Sequence, residues 1–156
     1  MPDDSRFTVA LADENATLAF AHRLAGGLCP GLVIYLQGDL GAGKTTLVRG
    51  VLRALGFNGR VKSPTYTLLE TYQAGGFELR HFDLYRLNDE AEWEVAGFRD
   101  EFNGENIFFI EWPDRAASLL PPTDLDIHLA PAESGRTLAV TAYSTQGKSC
   151  LNALSL

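Results

Sequence analysis

Cysteine is scarce in this chain: Cys29 and Cys150 are the only two among 156 residues, far apart and without metal-ligand spacing. That excludes a disulfide scaffold and a zinc cluster, and reads as two reduced structural thiols in a cytosolic protein. No run of about 18 apolar residues occurs, so a transmembrane helix is not expected. The opening residues, Met1-Pro2-Asp3-Asp4-Ser5-Arg6, lack the basic and apolar regions of a signal peptide. Positive charge is also in deficit: 13 Lys and Arg against 20 Asp and Glu give a formal net charge of −7. Such a chain lacks the broad basic field of an autonomous nucleic-acid binder, so no grip on DNA is expected, and RNA only through an assembly. Repeats, low-complexity tracts and linkers are absent as well. With 46% hydrophobic residues, the expectation is one α/β domain spanning 1–156.

What is present centres on Gly38-Asp39-Leu40-Gly41-Ala42-Gly43-Lys44-Thr45, which completes the pattern G-x-x-x-x-G-K-[ST]. An apolar run over 32–36 precedes it and reads as a buried strand. Leu47, Val48, Val51, Leu52 and Leu55 follow at helical spacing, up to Gly56. Strand, glycine-rich loop and helix together form the context of a phosphate-binding loop. Glycines let the backbone approach a polyphosphate and turn its N–H groups inward. The helix N-terminus adds free donors and a partial positive charge. Lys44 reaches β- and γ-phosphates in such a loop, and the Thr45 hydroxyl ligates Mg²⁺.

Elsewhere the pattern predicts a strand over 7–11 and a helix capped by Asp13 or Asn15, with Leu18, Ala21, Ala25 and Leu28 on its apolar face. A polar connector over 56–64 leads to a strand over 65–72, a turn at Ala74-Gly75-Gly76 and a return strand over 77–85. Asn88 is the expected cap of a short acidic helix over 89–95, stopped at Gly97. A buried strand over 107–110 and a hairpin of 124–129 with 136–143 complete the reading. The fold class is a three-layer α/β P-loop NTPase with a mixed, partly parallel sheet and antiparallel hairpins.

Phosphoryl transfer also needs a carboxylate at a neighbouring strand end, to hold Mg²⁺ or orient water. Two residues qualify. Glu111 ends the apolar run over 107–110, and Asp83 lies in His81-Phe82-Asp83-Leu84-Tyr85. Ligands of open α/β sheets sit beyond the carboxyl ends of strands, which suits Glu111. Ser63-Pro64-Thr65-Tyr66-Thr67 reads equally as a γ-phosphate sensor and as a turn entering a strand. His22 and His128 read as structural or surface residues. His81 reads as structural, with support of Asp83 as the alternative. No arginine is assigned to the γ-phosphate; Arg99 and Arg115 are scattered. A guanine-reading Asn-Lys-x-Asp segment does not occur, and no basic lid marks a small-molecule kinase.

The loop, Val61-Lys62-Ser63-Pro64-Thr65-Tyr66-Thr67-Leu68, His81-Phe82-Asp83-Leu84-Tyr85-Arg86-Leu87 and Glu111-Trp112-Pro113, in this order, resemble the TsaE (YjeE) family. The resemblance runs from the first strand to the last hairpin. It implies a small ATPase that binds ATP and Mg²⁺, assists TsaB and TsaD in making threonylcarbamoyladenosine at tRNA position 37, and is not itself the transferase. Carried over by motif, Gly38 and Gly41, Ala42, Gly43, Lys44, Thr45 and Thr46 hold the phosphates, and Thr45 the metal. Glu111 acts on Mg²⁺ or its water, with Asp83 at the same centre. Thr65 and Thr67 form the switch-like segment, and Arg136, after Gly135, reaches the nucleotide. Trp93 stands where the family more often has Leu, a difference of packing.

Overall fold

The computed structural model describes residues 5–39 and 41–154. Leu40 of the loop and most of the opening segment read above lie outside them. Seven strands form one mixed sheet in the order β1-β7-β6-β2-β5-β4-β3. They are β1 (Arg6–Leu11), β2 (Val33–Gln37), β3 (Leu69–Ala74), β4 (Phe77–Asp83), β5 (Ile107–Glu111), β6 (Leu125–Pro131) and β7 (Arg136–Ala142). Strands β6, β2, β5 and β4 run parallel, while β3, β7 and β1 join through antiparallel pairs. The α/β class with a mixed sheet and two hairpins is therefore as expected.

Helices α1 (Glu14–Ala25), α2 (Lys44–Ala54) and α4 (Thr145–Leu154) cover one face. Of the two cap candidates for α1, Asp13 does the work: its carboxylate accepts from the Ala16 N–H at 2.9 Å. Ile34 and Leu36 of β2, Ile107 and Phe109 of β5, and Leu125, Ile127 and Leu129 of β6 point into this core. Each such side chain contributes roughly 1.5–3 kcal/mol when removed from water. The opposite face of β2, β5 and β4 buries Val33, Phe108, Ile110 and Phe82 under α3 (Glu90–Ala96) and two single 3-10 turns. Trp93 of α3 is fully buried there, its ring 5.3 Å from that of Phe82. On β6 and β1 the same face carries exposed His128, Ala130, Thr8 and Ala10, and on β7 the half-buried Thr137, Ala139 and Thr141. The third layer is thus partial, because those strands offer it no apolar stripe.

Three expectations are corrected, and one helix is added. The segment 65–68 is a turn, and β3 begins at Leu69. Leu68 adopts φ +67° and its N–H donates to Pro64 O, a geometry that excludes a strand. Strand β4 stops at Asp83, because the Asp83 carboxylate accepts from the Tyr85 N–H and turns the chain. Asp89, not Asn88, caps α3, accepting from the Glu92 N–H; Asn88 bonds the Glu92 side chain instead. Helix α4 has no counterpart in the sequence reading; its apolar face is only Cys150, Leu151 and Leu154, with buried Gly147.

Burial pushes the Cys150 thiol up to about 12, and only the thiolate reacts. Iodoacetamide at pH 8 is expected to label Cys150 only after denaturant unfolds the chain. Intact-mass spectrometry before and after unfolding checks this, and labelling of the native protein at Cys150 would mean that α4 undocks.

Candidate nucleotide site

The loop leaves the sheet after Gln37, beside β6. A Cβ on Gly38 would lie 2.6 Å from Leu129 O, so only glycine fits there. Gly43 closes the loop with φ +103° and stands at the N-cap of α2, where no side chain bonds the first turn. The open N–H groups of that turn face outward with the positive end of the helix dipole, the arrangement that takes an anion. Around Gly41 and Gly43 a Cβ would meet nothing closer than 3.9 Å, so the space over the loop is open. The residues present therefore fit a polyphosphate.

Lys44, the first residue of α2, is buried at 4% exposure. Its Nζ donates to Gly38 O at 2.6 Å, stands 3.6 Å from Glu111 Oε1 and lies 4.3 Å from the centre of the Trp112 ring. A buried ammonium survives only with such partners. Glu111 ends β5 and is buried at 3%. Its Oε2 shares a 2.6 Å hydrogen bond with His81 Nε2, while its Oε1 faces Lys44. His81 and Asp83 lie two residues apart on β4, and Asp83 is in register with Glu111 on β5. Both carboxylates therefore emerge at the carboxyl ends of adjacent parallel strands, next to the loop that follows β2.

Trp112 follows Glu111 in the left-handed region, at φ +57°. That turn starts the 3-10 segment at Pro113 and sets the indole over Lys44. A bulky residue there costs of order 1–3 kcal/mol, strain typical of functional sites.

A cavity of about 450 Å³ empty of chemistry of this kind lies beside Tyr35, Gln37 and Asp126. The chemistry converges instead on a cavity of about 440 Å³ lined by Lys44, Thr45, Thr46, Ser63, Thr65, Asp83, Arg86 and Glu111. A neighbouring cavity of about 360 Å³ shares Gly41, Gly43 and Thr46 with it and is lined further by Asp13, Glu14, Thr17 and Arg136. Arg136 donates from Nη2 to Gly41 O at 2.8 Å. Gly135 makes that possible, since a Cβ at Gly135 would lie 2.1 Å from Leu11 O.

The structure thus brings together Gly41, Gly43, Lys44, Thr45, Thr46, Thr65, Asp83, Glu111 and Arg136. Gly38 acts through its carbonyl, and the Ala42 side chain packs into the core. Thr67 is not on the cavity: it is exposed and its hydroxyl donates to Glu70. The sequence reading missed the His81–Glu111 pair, the Trp112–Lys44 contact and the place of Arg86 and Ser63. The alternation of His81 with Asp83 on one strand was the available signal for the first; the others depend on turns.

Among the described residues no group of three or more His, Cys, Asp or Glu could hold a metal by itself. A hard cation here would depend on phosphate oxygens and water besides Thr45 and one carboxylate, as Mg²⁺ does.

Burial, and then the charge of Glu111, raise the Asp83 carboxyl above its ordinary range; the Tyr85 N–H, His81 and Lys44 offset this in part. A raised folded-state pKa means that ionised Asp83 destabilises the fold. That penalty is complete above the folded-state pKa and vanishes as pH falls toward the unfolded value near ~3.9. Without magnesium, Asp83→Asn is expected to raise Tm by about 2–4 °C at pH 8, with the gap shrinking as pH falls toward ~4. Calorimetric melts across that range check it. A gap that widens on acidification would reverse the sign.

Comparison with known proteins gives the family. The profile of "Threonylcarbamoyl adenosine biosynthesis protein TsaE" matches residues 11–138. The tRNA threonylcarbamoyladenosine biosynthesis protein TsaE of Haemophilus influenzae is 41% identical over 153 residues, 95% of this chain and 97% of that protein. Its namesake in Synechocystis is 45% identical over 113 residues, 70% of this chain and 71% of that one. The crystal structure of Bacillus subtilis YdiB superposes with a TM-score of 0.82 at 29% identity, covering 96% of this chain and 94% of that one. With the family profile matching residues 11–138 and a relative 41% identical along 97% of its length, this chain belongs to the TsaE family of threonylcarbamoyladenosine biosynthesis proteins.

Proposed function

We propose that this chain is the ATP-binding and ATP-hydrolysing accessory subunit of tRNA N6-threonylcarbamoyladenosine synthesis. It works as one P-loop domain, in the cytoplasm, with TsaB and TsaD, and meets tRNA only through them. No described helix is long and apolar enough to cross a membrane. One observation carries the catalytic reading: Lys44, the uncapped start of α2, Asp83 and Glu111 converge on a single cavity.

The two cavities that share Gly41, Gly43 and Thr46 suit the two ends of a nucleotide. The triphosphate would cross the start of α2, its γ end toward Asp83 and Glu111. Base and ribose would take the side of Asp13, Glu14, Thr17 and Arg136. Magnesium would be held by Thr45 with Asp83 or Glu111 and would supply charge neutralisation at the phosphate oxygens. Lys44 and the loop N–H groups stabilise the negative charge that builds up during transfer. Glu111, with one oxygen anchored by His81, would orient with the other the attacking water, or a water of the magnesium if one is held there.

Titration calorimetry of the folded domain with ATP and with GTP, each with magnesium, tests binding. Phosphate release, alone and with TsaB and TsaD, tests hydrolysis. Saturable heat with ATP, slow turnover alone and faster turnover in the assembly are expected. No heat from adenine nucleotides, or a rate that stays flat when TsaB and TsaD are added, counts against the reading. A screen for phosphorylated small molecules separates it from a kinase, and complex formation by hydrolysis-dead variants separates it from a pure assembly factor.

A further inference from the structure

Two cations line the cavity that holds the carboxylates, Lys44 and Arg86. Lys44 is engaged by Gly38 O, Glu111 and the Trp112 ring. Arg86 is not held in that way. Its guanidinium lies 4.7 Å from the centre of the Tyr66 ring, and among the described residues no carboxylate lies within ion-pair distance of it. Tyr66 is 82% exposed in the turn between Thr65 and Thr67. The backbone under Arg86 is firm by contrast. Asp83 accepts from the Tyr85 N–H, the Leu84 N–H donates to Glu111 O, the Leu87 N–H donates to Leu84 O, and Leu84 and Leu87 are buried. A fixed stem thus carries a free guanidinium at the mouth of the site.

Charge requires it. The protein's own groups there, two carboxylates and one ammonium, sum to −1 without Arg86, so apart from the magnesium they would hold they offer no net positive charge to a triphosphate whose transfer spreads further charge over the γ-oxygens. Arg115, the next cation nearby, lies 5.6 Å from the centre of the Tyr85 ring and does not line the cavity.

We infer that Arg86 is a catalytic residue: it leaves the Tyr66 ring and contacts the γ-phosphate, an arginine supplied by this chain itself. The step it assists forms a bond from water oxygen to the γ-phosphorus and breaks the bond to the β,γ-bridging oxygen. ADP departs with the electron pair, and the water's proton ends on inorganic phosphate or solvent. This rests on the ATP hydrolysis proposed above.

The test is Arg86→Ala and Arg86→Lys in the full chain, alone and with TsaB and TsaD. Calorimetry with ADP and magnesium reads affinity, single-turnover phosphate release reads the chemical step, and melting confirms the fold. The expected result is a rate loss of at least about 10²-fold in Arg86→Ala, with ADP affinity within about threefold. Lysine restores little, having no planar fork. Added guanidinium ion restores part of the rate to Arg86→Ala and none to Lys44→Ala. An Arg86→Ala rate within threefold of an active wild type overturns this inference alone, as does an affinity loss equal to the rate loss. A wild type that neither binds nor hydrolyses ATP removes the functional reading and this one with it.

Discussion

Replacing Lys44 by alanine is expected to abolish measurable ATP hydrolysis, by at least about 10³-fold, and to weaken ATP affinity at least tenfold. The ammonium is the one buried cation on the loop, and the structure already holds it where phosphates would pass, 2.6 Å from Gly38 O. Binding of a triphosphate would exchange that contact and the Glu111 contact at 3.6 Å for phosphate oxygens. Alanine removes the charge and leaves buried Glu111 with His81 as its hydrogen-bond partner. Some loss of fold stability is therefore expected too, since breaking a buried pair is costly. A melting curve separates the two effects. Lys44→Arg keeps the charge but carries a wide planar head into a site built for a point charge, so it should restore stability and not hydrolysis. A Lys44→Ala protein that turns over ATP at the wild-type rate would remove the loop from the mechanism.

The parts legible in the sequence are those where local chemistry and tertiary demand coincide. The loop announces itself because glycine spacing, Lys44 and Thr45 answer to one ligand, and because β2 and α2 flank it at short range. Strand β5 was legible as an unbroken apolar run ending in a carboxylate, the pattern of a central parallel strand buried on both faces. The turn at 65–68 was not. Threonine and tyrosine favour strands, but Pro64 and the left-handed Leu68 are held by bonds from Leu68 to Pro64 and from Asp83 to Leu68, and only the second partner lies far away in sequence. Helix α4 was hidden because three apolar residues and a glycine are enough to dock it on a core that already exists.

The site follows the same rule. Asp83 and Glu111 were readable one at a time as strand ends, yet their adjacency comes from β4 pairing β5 in parallel. Nothing local encodes that pairing. The His81–Glu111 bond follows from it, while the cover of Trp112 over Lys44 follows from β2 pairing β5 and the left-handed turn at Trp112, and so both were out of reach before the fold was known. Trp112 is also a built-in reporter. An indole 4.3 Å from an ammonium that must move toward phosphates should change its fluorescence when nucleotide binds.

Glu111→Ala is expected to remove hydrolysis by about 10²–10³-fold while ATP affinity changes only a few-fold. The asymmetry follows from placement. Phosphates would be gripped chiefly by the loop N–H groups and the start of α2, which Glu111 does not build, whereas the water and metal side of the cavity would depend on the Glu111 oxygen that faces Lys44. His81 holds the other oxygen at 2.6 Å, so His81→Ala should lower the rate by roughly 10-fold or more without touching the reacting atoms. Because the histidine acts through the carboxylate, the double variant should be no slower than Glu111→Ala alone. Additive losses would give His81 a role independent of Glu111. An unchanged single-turnover rate in Glu111→Ala would leave Asp83, in register on the adjacent strand and already partly charge-frustrated, as the carboxylate that the chemistry uses.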